Sequence, residues 1–241
     1  MSLLKIPFIV ASATGTHISM TSSTLPPSSQ ERVVPSASES LIQNVILGLR
    51  IPGLVKIIIW TISFVEVANI LVMHIDPSQI PEGIYGANTV RFLRTLHPAP
   101  ITPVFLAASL SVTLGGMLRR YCMSTLGKFW SFHLSVRKEH RIVTSGPYSI
   151  VRHPSYTGLF IQHIAFWIMH GSEGSWIRQS GILELPYIRG LAVIMFFVTT
   201  AGALTMFKRC SVEDKMLQRA LGEDWENWAK KVKYRLLPGV Y

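Results

Sequence analysis

Charge is scarce in this chain of 241 residues. Only 15% of the residues are charged, against about 25% in ordinary soluble domains, and 13 acids face 23 Lys and Arg for a net charge of +10. That balance excludes a water-soluble globule. Cysteine is scarcer still: Cys122 and Cys210 show no CxxC spacing, which excludes a cysteine metal cluster or a disulfide framework. Each cysteine follows an apolar run, where a reduced and inert thiol, or a palmitoylated one, would sit at the cytosolic face. No N-x-[ST] sequon occurs. HExxH, GxSxG and a GxGxxG after a strand are all lacking, and Gly48-x4-Gly53 is not followed by the Lys-Ser/Thr of a phosphate loop. Most metal, phosphate and serine chemistries are thereby excluded. Basic charge on so apolar a chain belongs to lipid headgroups and cytosolic loops rather than to nucleic acid.

What the chain does have is long apolar runs. Its mean hydropathy is +0.35 and 49% of it is hydrophobic, so the expected class is an all-α integral membrane protein. A span needs about 20 residues. Residues 54–74, 101–118, 155–171 and 187–207 supply four, and residues 41–51 are a possible fifth or an interfacial segment. Glu66 interrupts the first span and is expected to be either glue within the bundle or part of a polar pocket. Residues 1–40, Ser/Thr/Pro-rich after an apolar start too short to span, are expected to be disordered, with a cleaved signal peptide as an alternative. Residues 41–118 then form an amino-terminal membrane region and 119–241 the functional core.

Charge orients these spans. Residues 119–152 carry seven basic side chains (Arg119, Arg120, Lys128, Arg137, Lys138, Arg141, Arg152) against Glu139, and the tail after Phe207 is also rich in Lys and Arg. Both segments face the cytosol if an even number of spans separates them, and the 155–207 hairpin provides two. With four spans both termini are cytosolic.

A dense polar cluster lies at the membrane edge, in residues 140–148 and 151–158. Gly146-Pro147 forces a turn, and Pro154 suits the first turn of a helix whose free N–H groups favour an anion. Arg152 and His153 precede that helix, and Tyr148 and Tyr156 flank it. Taken alone, these residues read equally as topology anchors and interfacial packing. In the tail, Leu217, Leu221, Trp228 and Val232 fall at helical spacing with Trp225 near the same face, the pattern of a helix on the membrane surface or against the bundle. Arg209 and Glu213, four apart, share a helix face. They form either a structural ion pair or a site that holds a carboxylate with the arginine and a cation with the glutamate.

The pattern H-x-[LI]-V-T-S-G-P-Y-x-x-V-R-H-P-S-Y-x-G, followed by R-x-x-x-E-[ED]-x-x-L-x-x-x-[FL]-G-x-x-[YW]-x-x-[YW], resembles the isoprenylcysteine carboxyl methyltransferase family from about residue 115 to residue 238. The first block is shared in looser form with phospholipid N-methyltransferases and membrane sterol reductases. Asp214 replaces the usual second glutamate, Leu221 an aromatic, and Trp225 and Trp228 the usual tyrosines. The resemblance implies an endoplasmic-reticulum enzyme that methyl-esterifies prenylated (farnesyl or geranylgeranyl) cysteine C-termini of CaaX-processed proteins. It implies that S-adenosylmethionine is held by His140, Arg141, Ile142, Val143, Tyr148, His153, Pro154, Ser155, Tyr156 and Glu213, and that Arg209, with Arg152 as a second candidate, meets the substrate carboxylate. A carboxylate with a pKa near 3.5 needs no general base at pH 7; it needs positioning and a cation, and arginine offers a planar bidentate fork. The alternatives are a phospholipid or amine N-methyltransferase, a sterol reductase, and a silent scaffold of the same fold.

Overall fold

The computed structural model describes residues 3–34, 37–48, 50–76, 84–97 and 99–240. Among them the fold is helical, with no β-sheet and a single isolated bridge, Arg32 with Ser135. Seven helices of eight residues or more carry it: α1 (Ile6–Ser19), α2 (Ile51–Val72), α3 (Ile84–Thr95), α4 (Pro103–Leu126), α5 (Pro154–Gly171), α6 (Pro186–Leu221) and α7 (Glu223–Lys231). The five that build the bundle, α1, α2, α4, α5 and α6, each have a proline in the first turn, where the missing N–H costs nothing and the fixed φ favours initiation. Thr102 caps α4, its hydroxyl accepting from the Phe105 N–H at 3.2 Å. Gly222, with φ +53, stops α6 and lets α7 turn away.

Two helices, α2 and α6, are long and apolar enough to cross a membrane. Their outward faces are apolar, with Ile57, Phe64, Leu191, Ile194, Phe197 and Leu204 exposed, an arrangement that suits lipid and not water. At 36 residues, α6 is about 54 Å long and overshoots a hydrocarbon core of about 30 Å. Its last turns, from Lys208 onward, therefore project past the apolar zone.

Residues 6–19 are helix, contrary to the expectation of disorder across residues 1–40. The Ser/Thr/Gly composition that signals disorder in water here makes a close-packed seam, since in lipid small residues let helix backbones touch. Ser12, Ala13, Gly15, Thr16 and Ser19 are buried. A Cβ on Gly116 would stand 2.2 Å from the Gly15 carbonyl oxygen, and one on Gly115 would stand 2.7 Å from that of Gly158. The adjacent glycines of α4 thus receive α1 on one side and α5 on the other. Polar stitches follow the same seam: Ser19 Oγ donates to Gln162 Oε1 at 2.6 Å, and Gln162 Nε2 donates to Val112 O at 3.1 Å. Residues 21–34 then strap the basic end, where Val33 N–H donates to Leu134 O at 2.9 Å and Val136 N–H to Glu31 O at 3.0 Å.

Three further expectations change. The fifth helix of the bundle is α1, not residues 41–51, whose described part is a short helix (Ala37–Leu41) and a π-helical turn (Ile42–Leu47). The boundary at 118/119 is absent, because α4 runs on to Leu126 with Arg119 buried inside the bundle. Lys5, at the start of α1, meets Ala99 and Gly174 at the end opposite the basic segments, so the two ends of the described chain lie on opposite sides. Glu66 is bundle glue: its carboxylate lies 2.5 Å from Lys5 Nζ. Both cysteines are buried and reduced, which suits inert thiols and leaves neither open to acylation.

Candidate active site

Four pieces of chain converge at the basic end: the 130–135 loop, the 140–148 segment, the start of α5 and the last turns of α6. Arg209 and Glu213, four apart, share a face of α6, and Asp214 follows Glu213 around the helix. Arg209 Nε lies 3.4 Å from Glu213 Oε1, and Arg209 Nη2 donates to Phe132 O at 2.6 Å, which fixes the guanidinium against the loop. Arg209 Nη2 also stands 3.5 Å from a carboxylate oxygen of Glu39.

His153 is the hub. Its Nδ1 lies 3.2 Å from Glu213 Oε2 and its Nε2 3.0 Å from Asp214 Oδ1. A neutral imidazole would aim one lone pair at an anion, whereas the imidazolium satisfies both contacts. Burial opposes that charge, but the hydrogen bonds to Asp214 and Glu213 outweigh it and hold the His153 pKa above the ordinary histidine value. Tyr156 stacks on His153 with ring centroids 5.8 Å apart, and its hydroxyl donates to Glu213 Oε1. Asp214 Oδ2 accepts from Arg152 Nη1 and Arg235 Nε, both at 2.9 Å. Arg152 N–H and His153 N–H donate to Tyr234 O and Arg235 O, so the tail is laid across the start of α5. Arg152 Nη2 donates to Lys233 O at 3.0 Å. Arg152 is therefore committed to Asp214 and the tail.

One cavity of about 910 Å³ joins this cluster to an apolar groove. Its polar end is lined by His140, Arg141, Ile142, Val143, Tyr148, Arg152, His153, Ser155, Tyr156, Arg209 and Glu213. Its apolar wall comes from α2 (Ile58, Ile62), α5 (Leu159, Phe166) and α6 (Leu191, Met195, Val198, Met206). Pro154 is the exception among the expected residues: it is buried at the first turn of α5 and outside the lining.

The 140–148 segment is shaped from beneath by α7. Trp225, Trp228 and Val232 are buried together against Ile142, Leu217 and Leu221, and Trp228 Nε1 donates to Tyr148 O at 3.3 Å. The apolar stripe of the tail thus packs on this segment, split between α6 and α7 at Gly222. Burial and Arg137 lower the His140 pKa. Its Nδ1 accepts from the Arg137 N–H at 3.3 Å, so a neutral ring is presented. Burial also raises the Tyr148 phenol well above its usual value, keeping it un-ionised.

The chemistry of this donor set fits S-adenosylmethionine. Residues 141–144 are irregular, and among the described residues no backbone N–H or C=O of theirs pairs with another backbone group, leaving an edge such as a planar heterocycle reads. The polar end also supplies a part-exposed carboxylate, Glu213, for a cation, and aromatic faces at His140 and Tyr156.

Residues 107–173 match the isoprenylcysteine carboxyl methyltransferase (ICMT) family. That stretch runs from within α4 to just past the end of α5. A protein-S-isoprenylcysteine O-methyltransferase of Arabidopsis thaliana is 37% identical over 60 residues, 24% of this chain and 30% of the relative. A Delta(14)-sterol reductase of Gibberella zeae is 26% identical over 184 residues, 66% of this chain and 37% of the relative. One from Schizosaccharomyces pombe is 30% identical over 108 residues, covering 45% and 21%. The chain therefore spans between about a fifth and two fifths of the length of these relatives. The ICMT family match ends before α6, so Arg209, Glu213 and Asp214 lie outside it.

Sequence reasoning missed several residues of this end. Arg119 stands where sequence alone places a span boundary, yet it donates to Ser155 O at 3.0 Å and to Ser19 O at 3.4 Å, tying α4 to α5 and α1. The signal was present in the helical spacing of Val112, Gly115, Arg119 and Cys122, all buried. Glu39, Phe132 and Arg235 carried no such signal, because only the tertiary fold brings them to Arg209 and Asp214.

Proposed function

We propose that this chain is an S-adenosylmethionine-dependent carboxyl methyltransferase acting on prenylated cysteine C-termini, in the endoplasmic reticulum membrane with its basic end in the cytosol. The observation that carries this reading is the shape of the cavity, which joins an arginine-bearing polar end to a long apolar groove. Its ligand has an anionic head and a lipid tail. In this reading α1, α2, α4, α5 and α6 all cross the bilayer, one more than the four spans expected from hydropathy.

When bound, S-adenosylmethionine supplies an electrophilic methyl group on a sulfonium. The residues of this chain do the rest by positioning. Arg209, pinned by Phe132 O, orients the substrate carboxylate through its planar fork. Glu213 faces the cationic ligand, and His140 to Val143, Tyr148 and the start of α5 (His153, Ser155, Tyr156) shape its pocket. A carboxylate held there would already be ionised at pH 7 and would have no proton to lose on methylation, so this chain needs no general base. Groove walls on α2 and α6 keep the prenyl chain in an apolar medium while its head reaches the site.

The test is transfer of labelled methyl from S-adenosylmethionine to N-acetyl-S-farnesylcysteine by the full chain in nanodiscs, read as base-labile methyl ester. No incorporation overturns the proposal, and alkali-stable methylamine product transfers it to an amine acceptor. The longer match to sterol reductases favours a second reading, reduction of a sterol double bond. Calorimetric binding of a nicotinamide cofactor in place of S-adenosylmethionine would establish that reading instead.

A further inference from the structure

Among the described residues Arg119 is a buried cation without an anion. It is 4% exposed, and a charged side chain so deep in a fold is ordinarily paired. Its hydrogen-bond partners are all neutral: Nη1 donates to Ser155 O at 3.0 Å and Ser155 Oγ at 3.3 Å, and Nη2 donates to Ser19 O at 3.4 Å. The two carboxylates that α6 brings to this end are engaged elsewhere, Glu213 by His153 and Arg209, and Asp214 by Arg152, His153 and Arg235. At most three of the five guanidinium donors are therefore placed, and Nε, also buried, has no partner among the described residues. A neutral amide could tie Ser19 to Ser155 without a buried charge. The tie alone does not account for an arginine.

The surroundings show where that charge can act. Arg119, Ser155 and Tyr156 all line the cavity, and the guanidinium is close enough to the Tyr148 and Tyr156 hydroxyls to interact with them electrostatically. Ser155 stands in the first turn of α5, where the positive end of the helix adds to the attraction for an anion. The Tyr156 hydroxyl also donates to Glu213, so one phenol lies near a guanidinium and a carboxylate. A ligand end that carries charges of both signs, as an amino acid does, complements that pair.

Resting on the S-adenosylmethionine reading, we propose that Arg119 binds the carboxylate of the cofactor's amino-acid end, with Ser155 holding the guanidinium in place. The cationic groups of that end fall to Glu213. Two arginines thereby divide two carboxylates, Arg209 taking the acceptor's and Arg119 the cofactor's. Binding supplies the anion that the interior of α4 otherwise lacks.

Calorimetry on the full chain in nanodiscs tests this with two ligands, S-adenosylmethionine and its decarboxylated form, which keeps the adenosine, the sulfonium and the amine. The wild type is expected to bind the decarboxylated form at least about tenfold more weakly, the change ~1.4 kcal/mol produces. Arg119→Met should bring the two affinities close to parity, chiefly by weakening S-adenosylmethionine, and Arg119→Lys, which keeps the charge and loses the fork, should fall between. A purely structural Arg119 weakens both ligands alike. A variant with the wild-type thermal midpoint and the wild-type affinity ratio therefore overturns the assignment. Equal binding of the two ligands by the wild type also overturns it and leaves the methyl-transfer reading standing, whereas failure to bind either overturns both. If Arg119→Met does not fold, the ratios of Arg119→Lys and the wild type decide.

Discussion

Replacing Lys5 by methionine should unfold this protein at a markedly lower temperature, although Lys5 lies far from the candidate site. The side chain is 1% exposed, pairs with Glu66 at 2.5 Å, donates to Gly174 O at 2.6 Å and lies 4.5 Å from the Phe105 ring centroid. One ammonium therefore joins α1, α2, α4 and the loop after α5. Methionine preserves the bulk and removes only the charge and the donors. The loss has two parts: a buried carboxylate without its cation, about 3–5 kcal/mol, and an unsatisfied Gly174 carbonyl, about 1–3 kcal/mol. Protonation of the orphan Glu66 limits the first part, because a buried acid neutralises rather than stay charged. A net loss of about 3–4 kcal/mol follows, which at roughly 2–4 °C per kcal/mol for a chain of this size lowers the midpoint by about 10 °C.

The assay is thermal unfolding in detergent micelles followed by tryptophan fluorescence. The diagnostic comparison is with Glu66→Gln and with the double variant, since removing both charges leaves no orphan ion. The double variant should lie closer to wild type than Lys5→Met alone, with a coupling of at least about 2 kcal/mol between the two sites. A single variant within about 1 kcal/mol of wild type, or strictly additive losses, would refute the reasoning. It would also remove α1 from the structural core.

Other expected outcomes concern the seam and the site. Gly116→Ala places a methyl against the Gly15 backbone and should cost at least about 1–3 kcal/mol by overpacking, whereas Gly53→Ala, with open space around it, should be neutral or slightly stabilising; thermal midpoints measure both. Because the folded chain holds the His153 pKa above its ordinary value of 6.5, the stability it contributes is complete below about pH 6.5 and is lost as pH rises through the higher folded value. Urea unfolding from neutral to alkaline pH should show that decline, and His153→Gln should flatten it. Arg209→Lys keeps the charge and loses the fork, so kcat/KM for N-acetyl-S-farnesylcysteine should fall by about 10- to 100-fold, corresponding to the ~1.5–3 kcal/mol of a charged hydrogen bond; an unchanged value would separate Arg209 from the carboxylate.

The sequence made legible what rests on local pattern. The helix start at Pro154, the i,i+4 pairing of Arg209 with Glu213 and the apolar stripe through Trp228 all follow from local pattern alone. The misread parts share one cause, the choice of solvent against which composition is judged. Ser12, Gly15, Thr16 and Ser19 look like a disordered tract if water surrounds them, and like a helix interface once the neighbour is another helix in lipid. Arg119 looks like a membrane boundary if it faces headgroups, and like a buried tie once Ser19 and Ser155 are opposite it. The partners of Arg209 and Asp214 were not legible, because Glu39 is 170 residues away from Arg209 and nothing local announces that Arg235 returns to the start of α5.

The ICMT family match, residues 107–173, covers most of α4, all of α5 and the loop between them. In the structure that segment makes the frame: the Gly115–Gly158 contact, the Arg119 tie and the wall of the cavity. The charged turn Arg209–Asp214 is supplied by α6 and is locked to the frame at His153, whose two nitrogens each take one of its carboxylates. A match to this segment does not itself choose between a methyl group and a hydride, since sterol reductases also match this chain. In the proposed reading the choice falls to the groups that α6 presents at the polar end of the cavity. There, in that reading, a guanidinium held by the Phe132 carbonyl meets a ligand that brings its own negative charge, which a sterol does not.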